Sequence, residues 1–444
     1  MMKNKDAPRP SSEAPSSWTV ILGGLSGNVM EWYDFAVYGY FASVLAPLFF
    51  PSDSHASSLV AAFGAFAAGF LMRPLGGVVF GHIGDRVGRK AALTLSVMLM
   101  AVPSVLIGLL PTYAAIGWWA PVAMVVLRMV QGLSVGGEYT SSIVFLVENS
   151  HRKKRGYMGS WASVGSVAGA LLGSGVGALI NTILPADAVS AWGWRIPFLL
   201  GLGVAGTAVW LRRSLPEIEL PEPEEGEAPP VVAAIRDRLG MIVRTVGILM
   251  VYAVGYYVCF LYLTSFLIEK VKVPAYEALD INTIAMAAMM LLIPAMAKLS
   301  DRVGRKPVLL GAALGLILLS HPLIRLMHVD HWLPLLSSQL VFAVLIAAYA
   351  AANPAAMVES FPGKVRVSAM SISFNISFAV FGGTMPMVAA WLLERTHDDY
   401  SIAWLLVAAG VVTFGSLLGH PETAGQRFSK LFPDDPEPVP QPAD

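Results

Sequence analysis

Two carboxylates three residues apart, Glu31 and Asp34, stand in the stretch "GNVMEWYDFAVYG" (27–39), inside a run from Trp18 to Phe50 that is otherwise apolar, aromatic and glycine-rich. A charge at the centre of a bilayer costs at least about 2.5 to 3.5 kcal/mol, so an acid kept in such a run marks a candidate functional site. The chemistry it suggests is uptake and release of a proton, because burial raises a carboxylate's proton affinity and a nearby arginine lowers it. A partner for either acid is Arg128 in "RMVQGLSVGGEYT" (128–140), where Arg128, Gln131, Val135 and Glu138 follow one helical stripe. Glu138 lies about 15 Å farther along the axis than Arg128, too far to pair with it directly.

These residues require membrane helices to hold them. Of 444 residues 55% are hydrophobic and 14% charged, against about 25% charged in an ordinary soluble domain; mean hydropathy is +0.63. The formal net charge of zero gives no pointer to nucleic acid, and the single cysteine, Cys259, excludes a disulfide or cysteine-based metal site within one chain. His321, His328 and His331 lack the spacing of a metal site. Runs of about 20 apolar residues, the length that crosses a bilayer, predict spans near 19–42, 58–80, 91–110, 120–147, 157–183, 196–212, 241–268, 278–297, 307–327, 332–358, 366–393 and 400–419. No secretory signal precedes the first of them. The expected fold is an all-α polytopic membrane protein of about twelve helices.

All but seven of the 30 Lys and Arg residues (Arg73, Arg128, Arg195, Lys270, Lys272, Arg325 and Arg395) fall on one side if the N-terminus is cytoplasmic, which predicts both termini inside. At 1.5 Å per residue, Glu31 then lies about 18 Å and Asp34 about 22 Å from the cytoplasmic face. Arg128 enters from the other side and lies about 12 Å below the outer face, the level of Glu31 on a core about 30 Å thick. Arg73, about 9 Å from the cytoplasmic face, reads as a residue that snorkels or caps a neighbour.

"GHIGDRVGRKAAL" (81–93) recurs half a chain later as "AKLSDRVGRKPVL" (297–309), with "DRVGRK" identical. Two homologous halves of about six helices account for this. The expected organisation is a tail over 1–17, a six-helix half over 18–213, an acidic proline-rich linker over 214–238, a second half over 239–420 and a disordered tail over 421–444. Positive-inside anchoring explains the Arg and Lys of the repeated loop but not its Asp and Gly. Gly81, Asp85, Arg86, Gly88 and Arg89, with Asp301, Arg302, Gly304 and Arg305, are therefore candidate gating residues.

The remaining polar and aromatic stripes have two readings each. Tyr252, Tyr256, Cys259 and Leu263 share a face of the seventh helix, with Tyr257 and Tyr262 beside it; aromatic faces suit a quaternary ammonium or iminium group, and equally suit packing. Ser368, Ser371 and Asn375 in the eleventh helix line a cavity or bond a neighbour, and Gly382, Gly383 and Pro386 can bend that helix. Asn28, Glu31, Phe35 and Tyr38 form one face of the first helix. Gly165, Gly169, Gly173 and Gly177 make a small-residue stripe suited to close helix packing.

The two "DRVGRK" loops resemble the signature loop of the major facilitator superfamily, and "RMVQGLSVGGEYT" resembles its fourth-helix motif. "RPLGGVVFGHIGDRVGRK", "RGYMGSW", "WGWRIPF" and "FNISFAVFGGTMP", with the opening stretch, resemble the metabolite:proton symporters, and "GGEYTSSIVFLVENS" and "GSWASVGSVAG" their proline/betaine-transporting branch. The resemblance runs from about Ser16 to Pro421. It implies two pseudo-symmetric six-helix halves around a central cavity bordered by the first and fourth helices, and proton-coupled uptake of a small carboxylate-bearing metabolite, a proline or glycine betaine zwitterion being favoured. An organic acid such as α-ketoglutarate, citrate or shikimate, or proton-antiporting export, are the alternatives. The expected proton-coupling residues are Asp34, Glu31 and Glu138. The expected substrate contacts are Arg128, Gln131, Tyr38, Tyr252, Tyr256 and Asn375. Expected partners are the solute, protons and membrane lipid, with no nucleic acid, cofactor, metal or obligate protein partner, and no enzyme-like constellation or phosphate-binding glycine loop is visible. Osmosensing members carry a long C-terminal coiled coil; the proline-rich tail here does not suit one.

Overall fold

The computed structural model describes the backbone of residues 17–87, 89–213, 230–329 and 331–433, and their side chains except at 17–27, 81–94, 97, 138, 204–205, 207–213, 230 and 233. Among the described residues, twelve long helical segments follow one another. They are α1 (Ser17–Tyr40, continued by Ala42–Phe49), α2 (His55–Leu71 and Arg73–Val87), α3 (Arg89–Leu109), α4 (Trp119–Ser134 and Glu138–Glu148), α5 (Arg155–Ile183) and α6 (Arg195–Arg213). The second set is α7 (Pro230–Tyr257, continued through Leu263–Phe266), α8 (Ala275–Val303), α9 (Arg305–Leu326), α10 (Trp332–Val358), α11 (Arg366–Ser377 and Met385–Thr396) and α12 (Ser401–Leu418). No strand occurs among the described residues. All but α1, α3 and α6, which run partly over undescribed side chains, are long and apolar enough to cross a membrane. Each predicted span is matched by one segment.

Local chemistry sets several helix starts. Ser54 caps α2 by accepting from the Ser57 backbone N–H at 3.0 Å, and His331 caps α10 through the Leu333 N–H, each satisfying a donor that the first helical turn leaves open. The halves meet along α5 against α8 and α2 against α11. Within the first half the glycine stripe of α5 lies against α1, and Gly169 backs directly onto the Val29 carbonyl. This close packing sets α1, with its two acids, against the seam between halves. Two of the helices at the seam widen into a π turn at mid-length, α7 at Val258–Tyr262 and α11 at Phe378–Gly382; such turns are common beside functional sites. In α11 this turn leads directly into the Gly382, Gly383 and Pro386 cluster.

Candidate functional site

Glu31 does not pair with Arg128. Its Oε1 accepts from Arg73 Nη2 at 2.9 Å, and both side chains are buried. The depth difference between the two residues hides this pair in the sequence, where Arg73 reads as a residue that snorkels or caps a neighbour. A helical side chain leans toward its own N-terminus, and α1 and α2 run in opposite directions, so Arg73 and Glu31 lean toward each other. Arg73 also stacks near Phe70, Phe374 and Phe35, at 5.2, 5.9 and 6.0 Å from the ring centroids.

Asp34 reaches Arg128 through two intermediaries. Arg128 Nη1 donates to Gln131 Oε1 at 2.8 Å, Gln131 Nε2 donates to Ser104 Oγ at 2.7 Å, and Ser104 lies beside the Asp34 carboxylate. Ser104, on α3, was not singled out from the sequence, because a lone serine in an apolar span carries no pattern. The Arg128 guanidinium is wholly buried and lies over Phe35 and Tyr38, 4.6 Å from each centroid, and Phe66 at 5.3 Å. Those ring faces offset a buried cation, while its Nε and Nη2 have no hydrogen-bond partner. Asp34 Oδ2 likewise has none. The backbone of α6 crosses so near that a Cβ on Gly201 would sit 2.8 Å from Asp34 Oδ1.

A small void lies between the halves, with space for about one water molecule, walled by Trp32, Phe35, Tyr40, Tyr256, Tyr257 and Phe260 among others. Trp32 meets Tyr256 edge-on at 5.3 Å and lies 6.2 Å from Tyr257 and 6.0 Å from Phe378. The buried Trp32 Nε1, Tyr256 Oη and Tyr257 Oη have no hydrogen-bond partner. Glu31, Arg73, Gly136, Tyr139, Phe374 and Asn375 line a second, closed gap at the seam that has no room for a water molecule.

The expected substrate contacts are therefore split. Tyr256 lines the void and Asn375 the gap, Asn375 also donating to the Gly136 carbonyl at 2.6 Å across the seam. Tyr252 stacks on Tyr349 at 6.2 Å, one layer behind. Tyr38 donates to the Ala62 carbonyl at 2.9 Å under Arg128, and neither Arg128 nor Gln131 lines the void or the gap. Trp32 was quoted in the motif but assigned no role, since a tryptophan in a membrane helix carries no positional signal. The Glu138 side chain lies outside the described residues.

Both ends of the seam are bridged. At the end carrying the repeated loops, here the basic end, Asp301 accepts from the Gly156 and Tyr157 backbone N–H groups at the start of α5, at 2.9 Å each. Arg305 donates to Asp301 at 2.7 Å and to Glu359 at 3.3 Å. Gly304 adopts φ +110°, a backbone that favours glycine, and Arg302 is exposed. The first copy of the loop (Gly81, Asp85, Arg86, Gly88 and Arg89) falls outside the described side chains. Arg366 pairs with Glu148, and Thr140 and Ser371 share a hydrogen bond of 2.7 Å. The segment after α12 docks beneath these contacts. The Glu422 carboxylate accepts from the Arg305 and Lys306 N–H groups at 2.9 Å, and Phe428 lies between Arg155 and Arg366, 3.7 and 4.2 Å from its centroid. Burial pushes the Glu359 carboxyl above its usual range despite Arg305, Arg155 and Thr423 beside it. At the far end Ser54 and Ser57 donate to Glu394 at 3.2 and 2.7 Å, and His55 lies 3.0 Å from Glu269.

Two helical halves clasped at both ends around a buried, charged and aromatic centre define a multi-pass membrane transporter. Residues 20–218 match the family model "Sugar (and other) transporter" and residues 272–441 match "Major Facilitator Superfamily". The chain is 36% identical over 427 residues to the glycine betaine/proline/ectoine/pipecolic acid transporter OusA of Dickeya dadantii, covering 93% of this chain and 85% of that protein. It is 35% identical over 420 residues to the proline/betaine transporter of Escherichia coli K12, covering 92% and 84%. Among solved structures, the xylose transporter XylE of E. coli in a partially occluded inward open conformation superposes with a TM-score of 0.74 at 18% identity, covering 93% of this chain and all of that one; this likeness shows the fold. The chain belongs to the major facilitator superfamily.

Proposed function

We propose that the chain is a proton-coupled uptake symporter of a small, net-neutral zwitterion of the proline or glycine betaine type, with both termini cytoplasmic and the basic end facing the cytoplasm. The observation that carries the substrate reading is the void at the seam, walled by Trp32, Tyr256, Tyr257 and Phe260, because aromatic faces attract a quaternary ammonium or iminium group. The names of the relatives agree with it. Alternating access then means loosening the contacts of Asp301, Arg305, Arg366 and Asn375 at one end and those of Glu394 and Glu269 at the other.

Asp34 is the proton carrier in this reading. Its carboxylate has one oxygen without a hydrogen-bond partner, and its link to Arg128 runs through side chains on three helices, α3, α4 and α1. A rearrangement of those helices changes the arginine's influence and hence the affinity for the proton. Glu31, tied to Arg73, is the second titratable acid, and Glu138 the third. Arg128 and Gln131 act through Asp34, while Tyr38 shields the arginine. Tyr256 and Asn375 are solute contacts and Tyr252 supports Tyr256.

Radiolabelled uptake in proteoliposomes tests the assignment. An inward proton gradient should drive accumulation of glycine betaine or proline. Accumulation of α-ketoglutarate or citrate instead, or efflux in that gradient, contradicts it.

A further inference from the structure

We propose that Arg73, together with the aromatic chamber, forms one bipartite zwitterion site: Arg73 takes the solute carboxylate and the faces of Trp32, Tyr256, Tyr257 and Phe260 take its ammonium. This rests on the zwitterion reading above. Arg73 and Arg128 are the candidates for the carboxylate, and their surroundings separate them. Arg128 has unpartnered donors, but it is packed between the rings of Phe35, Tyr38 and Phe66 and lines neither the void nor the gap. Arg73 lines the closed gap at the seam, which must widen to admit a solute; it is 2% exposed and keeps its Nε–H without a partner while Nη2 holds Glu31. A guanidinium with one edge engaged and another open offers a carboxylate a charge-assisted hydrogen bond.

Trp32 links the walls of the two sites through a ring contact with Tyr139. Its ring walls the aromatic void, and it lies 6.2 Å from Tyr139, which lines the Arg73 gap. The unpartnered Trp32 Nε1, Tyr256 Oη and Tyr257 Oη are further neutral donors at this wall. The paired charges favour a zwitterion over a dianion. Arg73 and Glu31 offer a zwitterion both charges it needs: its carboxylate shares Arg73 with Glu31 and its ammonium faces Glu31. A dianion leaves uncompensated charge in a poorly solvated place, which is strongly unfavourable.

The test is equilibrium binding to the purified full chain in nanodiscs with three probes: glycine betaine, choline, which has the same ammonium and no carboxylate, and α-ketoglutarate. The wild type should bind glycine betaine more tightly than choline. Arg73→Lys, which keeps the charge but loses the planar fork, should weaken glycine betaine at least about tenfold, about 1.4 kcal/mol, and leave choline unchanged. Trp32→Leu should weaken both alike. If Arg73→Lys does not fold, the neutral pair Glu31→Gln/Arg73→Gln reads the same betaine-to-choline ratio. An unchanged ratio in either folded variant overturns the role of Arg73 while leaving the substrate class standing. Wild-type protein that binds α-ketoglutarate and no zwitterion overturns the substrate class itself.

Discussion

Arg73 donates to Glu31 across 2.9 Å deep inside the first half, and this pair releases Arg128 from the role of countercharge to Glu31. Among the described residues, four charged side chains at the centre are thereby sorted into two units. One is a direct ion pair at the seam; the other, Asp34 with Arg128, is linked by way of Gln131 and Ser104.

The ion pair should be strongly coupled. Glu31→Ala leaves a buried guanidinium without its carboxylate, a loss on the order of 3 to 5 kcal/mol. The thermal midpoint of the purified protein should fall markedly in Glu31→Ala and in Arg73→Ala, and much less in Glu31→Gln/Arg73→Gln. Single and double variants of equal stability would argue against a buried pair.

The Asp34 relay can be cut without touching either charge. Gln131→Leu removes both the acceptor of Arg128 and the donor to Ser104, leaving buried polar groups unsatisfied at about 1 to 3 kcal/mol each. Gradient-driven uptake should drop at least about tenfold, with solute exchange in the absence of a gradient retained. Gly201→Ala, whose Cβ would lie 2.8 Å from Asp34 Oδ1, should act in the same direction. Equal losses of exchange and gradient-driven uptake would assign Gln131 to solute binding instead.

The basic-end clasp should set the balance between closed and open forms there. Asp301→Ala removes two hydrogen bonds to the start of α5 and the partner of Arg305. Hydrogen bonds to a charged group contribute about 1.5 to 3 kcal/mol each, so opening should become at least about tenfold more populated. Cys259 is the sole cysteine and is buried, so labelling of an introduced Thr140→Cys at the seam reports on this. Its reactivity should rise in Asp301→Ala and in Phe428→Ala; an unchanged rate would show that the clasp does not hold this end.

The docked C-terminal segment should respond to pH through His420. Burial, with Arg244 and Lys306 nearby, holds this histidine below its ordinary value of 6.5, Glu422 opposing the shift. A depressed folded-state value means that the unfolded chain binds the proton more readily. The histidine's contribution is therefore complete above pH 6.5 and is lost as pH falls from there toward the depressed value. The drop in thermal midpoint between about pH 7.5 and 5.5 should be smaller in His420→Gln than in the wild type; identical drops would remove His420 as the cause.

Much of the architecture was legible because lipid imposes length. Each predicted span has its helix, and the repeated "DRVGRK" marked the division into halves. At the site, Glu31, Asp34 and Arg128 stood out as charges in apolar runs. Their pairing did not, because straight-helix depth ignores the direction in which side chains lean, which is what brings Arg73 to Glu31. Ser104, Glu359 and Glu422 were invisible for another reason: a single hydroxyl or acid at a helix end gains meaning only from the chain that folds onto it. Asp301 was legible as a candidate because the repeat set it apart from ordinary basic anchoring, and its bonds to Gly156 and Tyr157 needed the second half to be seen against the first.

The most direct test of the account is the Asp34→Asn protein in proteoliposomes, assayed for glycine betaine both in an imposed inward proton gradient and as exchange without one. The account predicts that exchange persists while gradient-driven accumulation is abolished. Full gradient-driven accumulation in Asp34→Asn would contradict it.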